Sequence, residues 1–253
     1  MLMALEARAP WEWGSALAAW PMLRMMGIWP RAPRLPGGKQ HHVIVYPGLA
    51  AGDVSTQPLR AFLKDMGYQV HGWYQGMNRG PGRGVLDRLQ EQLTAVHRDA
   101  GAPVSLIGWS LGGVYARELA KAMPNRVRDV ITLGTPFAQS PRATNAWRVY
   151  QMLSNDPLPD AMFQLKLAEA PPVPTTSIFS KSDGVVAWSA SQQAASKTNP
   201  HIENVEVFAS HIGIGVNPAA WYVIAERLSQ TIHTPRDWRR FETPASMRFL
   251  FGK

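Results

Sequence analysis

The 253-residue chain contains no cysteine. That absence excludes disulfide staples, thiolate-bound zinc, iron–sulfur clusters and a cysteine nucleophile, and it leaves the redox compartment open. Charge is also sparse. Asp, Glu, Lys and Arg together make up 17% of the residues, and no basic run exceeds the pair Arg239 and Arg240. The balance is still basic, with 26 Lys and Arg against 18 Asp and Glu, a formal +8, and 19 of the cations are arginine. Spread this thinly, the charge suits general solubility better than a nucleic-acid interface, so no nucleic-acid partner is expected.

Long apolar runs are missing as well. The longest near the N-terminus, residues 16–23, holds Pro21 and falls far short of the roughly 20 residues that a bilayer span requires. Glu6, Arg8 and Glu12 interrupt the segment that a cleaved secretory signal would need. Neither a signal nor a transmembrane helix is indicated, and the expectation is a cytoplasmic protein.

Apolar residues reach 45%, enough for a substantial core, and about 250 residues is a common size for one α/β domain. Residues 1–38 stand apart as an N-terminal extension rich in Trp and Met. Within the first 36 lie Trp11, Trp13, Trp20 and Trp29 and five of the eleven methionines. Leu17, Trp20, Met22, Leu23 and Met26 recur at roughly helical spacing, which predicts a helix before Pro30. A helix packed on the domain is the first reading. The alternative is an apolar flap beside a substrate cleft, or an interfacial anchor making weak contact with a membrane surface. Pro30, Pro33, Pro36, Gly37 and Gly38 mark a linker.

From residue 39 the period alternates. Short apolar runs at 43–46, 68–73, 104–107, 127–133, 176–179 and 205–208 read as strands. Between them, Leu59, Phe62, Leu63 and Met66 form one helical face, stopped by Gly67, and Val85, Leu86, Leu89, Leu93 and Val96 form another, closed by Gly101. Residues 111–123 and 218–232 read as further helices. Strand–helix alternation predicts an α/β fold: a parallel sheet of about six strands with helices on both faces. Residues 39–234 form this domain. Residues 137–174, rich in proline and without a strong period, read as a cap or lid inserted after a strand, and 235–253 as a basic C-terminal tail.

One motif carries chemistry. The predicted strand 104–107 runs into Gly108-Trp109-Ser110-Leu111-Gly112-Gly113, which opens a helix. This is G-x-S-x-G between a strand and a helix, where a sharp turn lifts the serine hydroxyl out of the sheet. Glycines are required because side chains at 108 and 112 would clash as strand and helix converge. The helix N-terminus also presents free N–H groups and a positive dipole end to a developing oxyanion.

Serine is a weak nucleophile and needs a base. Of seven histidines, His41, His42, His71, His97, His201 and His233 lie within or beside other elements. His211 directly follows the predicted strand 205–208, at the carboxyl edge that also carries Ser110. Asp183 follows the strand 176–179 and sits between the two in chain order, as the orienting acid should. Asp156 and Asp160 are rivals in the irregular insertion. The loop Pro47-Gly48-Leu49 follows the first strand, and the N–H groups of Leu49 and Leu111 are the candidate oxyanion donors. The loop after 68–73 holds Asn78 and Arg79, candidates for contact near the site or with an anionic substrate group. Trp109 is either a substrate contact or core.

These residues together resemble the α/β-hydrolase superfamily across about residues 41–233, and within it bacterial lipase- and esterase-like members. The resemblance implies a Ser110–His211–Asp183 triad, an acyl-enzyme intermediate and no cofactor. Its two usual leading antiparallel strands have no counterpart in residues 1–38, so the sheet should be reduced. Pro47-Gly48-Leu49 also departs from the H-G-G-G loop of many esterases. The expected activity is hydrolysis of a carboxylic ester, a small molecule or lipid with an apolar acyl chain. A thioesterase or acyltransferase using the same triad is the alternative, and a non-catalytic binding module is disfavoured because Ser, Asp and His occur in order. No His, Asp and Glu cluster has metal-ligand spacing, so no metal is expected.

Overall fold

A fully apolar run can sit in a sheet only where both faces are covered, and the strands here are ordered so that the richest runs lie inside. The computed structural model describes residues 6–25, 27, 29–82, 84–138, 167–196, 199–230, 237–245, 248 and 251. In chain order these form α1 (Ala9–Met25), β1 (His42–Tyr46), α2 (Asp53–Asp65), β2 (Gln69–His71), α3 (Val85–Ala100), β3 (Val104–Trp109), α4 (Leu111–Ala122), β4 (Val127–Leu133), β5 (Thr175–Phe179), β6 (Ile202–Glu206) and α5 (Pro218–Ser229). All six strands pair in parallel, in the order β2-β1-β3-β4-β5-β6. The α/β architecture read from the sequence is therefore the one observed.

Alternation along each strand divides the core in two. Val43 and Val45 of β1 and Ile107 and Trp109 of β3 face α2 and α5, against Phe62, Leu63, Trp221 and Ile224. Ile44 and Tyr46, with Leu106, face α3 and α4, against Leu89, Leu93, Tyr115 and Leu119. The period-two pleat puts neighbouring residues on opposite faces, so a continuous apolar run serves both layers.

Two predicted elements are displaced. The last strand is Ile202–Glu206, ahead of the 205–208 run. It is the sheet edge, so only one side needs apolar residues. Ile202 and Val205 are buried while Glu206 and Phe208 are exposed. The reading by apolar run shifted it toward Val207 and Phe208 for that reason. In α1, Leu17 is 49% exposed rather than packed, and the buried positions are Ala9 and Ala16. The side chains of Met22 and Leu23, and Met26 altogether, lie outside the described residues, as do 139–166 of the expected cap, 231–232 of the expected last helix and part of the tail.

Aromatic rings fasten the N-terminal segment to the domain. Trp20 meets Phe62 edge-on at 5.1 Å and Trp221 at 5.3 Å, and Trp29 meets Phe62 at 5.2 Å. Phe62 also stacks on Trp221 at 4.9 Å. On the other layer, the buried Arg117 of α4 ties the two roots of the 139–166 segment. Its guanidinium lies over the Phe137 ring at 3.7 Å and donates to Leu167 O at 3.1 Å and Glu169 O at 3.0 Å. Burial lowers its pKa to about 9.

Because Phe62 sits where α1, α2 and α5 meet, Phe62→Ala should cost about 3–4 kcal/mol and lower the thermal midpoint by about 10 °C. A circular-dichroism melt measures this, and a fall of a degree or less would contradict the packing described.

Candidate active site

The strand order reverses between β1 and β3: from β1 the chain crosses to β2 on one side, then returns to β3 on the other. In open parallel sheets the carboxyl ends at such a reversal leave a crevice for ligands. Here those ends carry the Pro47-Gly48-Leu49 loop and Ser110.

Ser110 links β3 to α4 with φ +53° and ψ −120°, a conformation that L-residues rarely adopt. Its N–H donates to Leu133 O at 2.8 Å, holding the turn against β4. The glycines around it leave no room for side chains. A Cβ on Gly108 would overlap Gly112 and Gly113, one on Gly112 would overlap Tyr46 O, and one on Gly113 would overlap the Thr135 hydroxyl. Gly48 closes the other side, where a Cβ would stand 3.3 Å from Ser110 Cβ and 3.9 Å from its Oγ. The loop bearing Leu49 therefore lies against the serine. Leu111 is the first residue of α4, so its N–H has no acceptor within the helix. Among the described residues, neither the Leu49 nor the Leu111 amide donates to a protein acceptor.

His211 and Asp183 meet at the same edge. His211 Nδ1 and Asp183 Oδ2 are 2.7 Å apart, and both residues are buried. Asp183 Oδ1 is already engaged, accepting from Val185 N–H at 2.8 Å and Val186 N–H at 2.7 Å. The remaining oxygen needs a donor, so Nδ1 carries the proton and Nε2 is left as a free base. The turn Asp183-Gly184 thus aims the carboxylate instead of merely reversing the chain.

The other histidines are committed elsewhere. His41 is buried at the amino end of β1, bonded to Ser105 Oγ at 2.7 Å, and burial holds its pKa well below the usual value. His42 stacks on His71, His97 bonds Ala102 O and His201 lies beside Trp238. His233, Asp156 and Asp160 lie outside the described residues.

Trp109 is built into the core. Its Nε1 donates to His211 O at 3.0 Å, and a Cβ on Gly215 would touch its ring at 3.2 Å. It buttresses the histidine loop from beneath. Asn78 is wholly buried: Nδ2 donates to Pro47 O at 3.0 Å, and Oδ1 accepts from Gly80 N–H and the Tyr115 hydroxyl. Its backbone also exchanges bonds with Ala50 and Ala51, both 2.8 Å. Asn78 shapes the loop that carries Leu49, and its polar atoms are spent on that task. Arg79 is exposed.

Sequence reasoning missed several neighbours. Gly134 follows β4 with φ +53°, and a Cβ there would come within 3.0 Å of Asp183 Oδ2 and 3.2 Å of His211 Nδ1. A glycine immediately after a strand was its only signal. Glu6, Arg8 and Glu12, noticed only as interruptions of an apolar segment, reach the loops of Asp183 and His211. Nothing local in the sequence connects them to residues some two hundred positions away. Among the described residues, no group of His, Asp and Glu could hold a metal ion.

No known protein family matches the sequence, and no curated protein does. Solved structures do. An esterase of Pyrococcus furiosus is similar with a TM-score of 0.58 at 18% identity, over 76% of this chain and 83% of that one. Lipase B of Aspergillus fumigatus is similar with a TM-score of 0.55 at 18% identity, over 85% of this chain but only 57% of the longer lipase. The thioesterase domain of the curacin biosynthetic pathway gives 0.52 at 14% identity, over 76% and 92%. The fold is that of the α/β-hydrolases.

Gly134→Ala should disturb the Asp183–His211 pair before it disturbs the fold. Covalent labelling of Ser110 by a fluorophosphonate is expected to slow about 10-fold or more, with a thermal midpoint within a few degrees of the parent. Labelling at the parent rate would show that the pair tolerates the added methyl.

Proposed function

We propose that the chain is a serine hydrolase of carboxylic esters with apolar acyl chains, working through Ser110, His211 and Asp183. The observation that carries this reading is the 2.7 Å His211–Asp183 bond, whose polarity leaves Nε2 basic at the edge where Ser110 is held in its strained turn. Nε2 takes the hydroxyl proton as Oγ attacks the acyl carbon. The Leu49 and Leu111 N–H groups receive the tetrahedral oxyanion, each such donor being worth about 3 kcal/mol of barrier. The imidazolium, oriented by Asp183, then protonates the leaving alcohol, and the acyl group remains on Oγ. Water, deprotonated by the same nitrogen, releases the carboxylic acid and restores the serine. Each step moves one proton to or from His211 Nε2, exchanged in turn with the Ser110 hydroxyl, the leaving alcohol, water and Ser110 Oγ, and none calls for a cofactor.

The same triad would act on thioesters, or pass the acyl group to an acceptor other than water. The structural similarity to a thioesterase domain and the basic surface charge favour keeping this second reading. Support for contact with a lipid surface comes from α1, whose exposed positions carry no charged side chain among the described residues. Trp11 is 79% exposed and Met25 86%. No helix of the described residues is long and apolar enough to cross a membrane.

Initial rates on p-nitrophenyl esters from acetyl to palmitoyl test the first reading. Ser110→Ala should lose at least about a thousandfold in rate, and turnover of acyl thioesters far above that of oxyesters would favour the second reading. Parent protein inert on both would remove the hydrolase assignment. In a separate sedimentation assay, Ser110→Ala protein should bind vesicles of anionic phospholipid, and adding Trp11→Ser and Met25→Ser should release it. Equal binding by the two proteins would exclude α1 as the contact.

A further inference from the structure

Three charged side chains near the start of the N-terminal segment, Glu6, Arg8 and Glu12, turn onto the loops of the proposed triad. Glu6 is only 9% exposed. Its Oε1 accepts from the N–H of Gly184 and the N–H of His211, both at 2.8 Å, and its Oε2 accepts from Ile212 N–H at 3.0 Å. Gly184 is the residue after Asp183. One carboxylate therefore joins the backbone of the loop carrying the acid to the backbone of the histidine itself.

The next residues bond the same two loops. Arg8 donates to Ser182 Oγ at 2.6 Å and Ser182 O at 3.0 Å, and its Nε pairs with Glu12 at 2.8 Å. Glu12 accepts from the N–H and the hydroxyl of Ser210, and Trp13 Nε1 donates to Ile212 O at 3.0 Å. The two loops also have ties of their own: Ser182 Oγ donates to Ala209 O, and Ala209 N–H donates to Ser180 Oγ. Those bonds act where the loops leave the sheet. Glu6 acts at the residues that would do the chemistry. A buried carboxylate is costly unless its lone pairs are met, and here backbone N–H groups from both loops meet them. No part of the packing around α2 and α5 calls for an acid at this place.

We propose that Glu6 is a positioning residue, which sets the separation and orientation of Asp183 and His211 through the backbone of Gly184 and His211. The proposal rests on the reading of Ser110, His211 and Asp183 as a triad. It makes the N-terminal segment a support of the active site. A displacement of about 1 Å between reacting groups costs about a hundredfold in rate, so a small loosening of the two loops becomes visible in kcat.

The test compares parent, Glu6→Gln and Glu6→Ala in the full chain. Gln keeps the shape but turns a donor toward N–H groups, so its effect should lie between the other two. Turnover of p-nitrophenyl butyrate is measured per site titrated by a fluorophosphonate, and hydrogen exchange is followed in peptides covering residues 182–186 and 209–214. For Glu6→Ala, kcat per titrated site should fall about 10- to 100-fold with KM nearly unchanged, and exchange should quicken in both peptides. A fall confined to the number of titrated sites, with turnover per site retained, would overturn the proposal in favour of a purely structural role. So would unchanged exchange in the two loops. If the parent neither labels nor turns over ester, the triad reading falls, and the exchange data still decide whether Glu6 joins the loops.

Discussion

Ser110 occupies a backbone conformation that an L-residue adopts only under constraint, and much of the architecture around it follows from holding it there. A non-glycine residue in such a region costs about 1–3 kcal/mol, and the surroundings must oppose its relaxation. β3 enters the turn from the middle of the sheet, with β1 and β4 hydrogen-bonded on either side. α4 leaves it packed so closely that Gly108, Gly112 and Gly113 have no space for a Cβ. The strain is local, while the restraint is spread over three strands and a helix. A turn of this kind could not persist on an isolated hairpin or at a sheet edge.

The same packing decides what else can stand at the carboxyl edge. β4 is followed by Gly134, whose missing side chain makes room for the Asp183–His211 pair. β5 and β6 deliver those two residues from successive loops, and the Trp109 indole beneath His211 ties the histidine loop back to the residue before the serine. Asn78 performs a matching service on the far side, where it braces the loop of Leu49. The loops of His211 and Leu49 thus each have a neighbour whose hydrogen bonds orient them. Such division of labour lets short loops hold groups as firmly as strands do.

α1 reverses the usual arrangement of a surface helix. Glu12 of α1 and Arg8 just before it lie against the protein, bonded to loop backbone and hydroxyls, while Trp11, Leu17 and Met25 are exposed. The loops of Asp183 and His211 offer N–H groups to this segment, and Glu6 and Glu12 supply the acceptors. The apolar anchorage comes instead from Trp20 and Trp29, which reach the cluster around Phe62. Of the apolar stripe read from the sequence, Trp20 packs on the domain and Leu17 is exposed.

Much of this protein could be read without coordinates. Apolar runs bounded by Gly and Pro located all six strands, because buried parallel strands leave a local signal. The strained turn at Ser110 was legible because its geometry demands glycines at fixed spacing around it. His211 and Asp183 could be chosen over their rivals because each follows a strand, and in a parallel sheet that alone puts them on one edge. The edge strand β6 was displaced in the reading because an edge needs only half the apolar pattern. Only the tertiary structure decided the rest: that Trp109 faces inward beneath His211, that Asn78 braces the loop of Leu49, and that Glu6 binds loops near positions 184 and 211. These are contacts between residues far apart in the chain, made through backbone N–H and C=O groups that every residue carries, and such groups leave no mark in the identities of the residues that supply them.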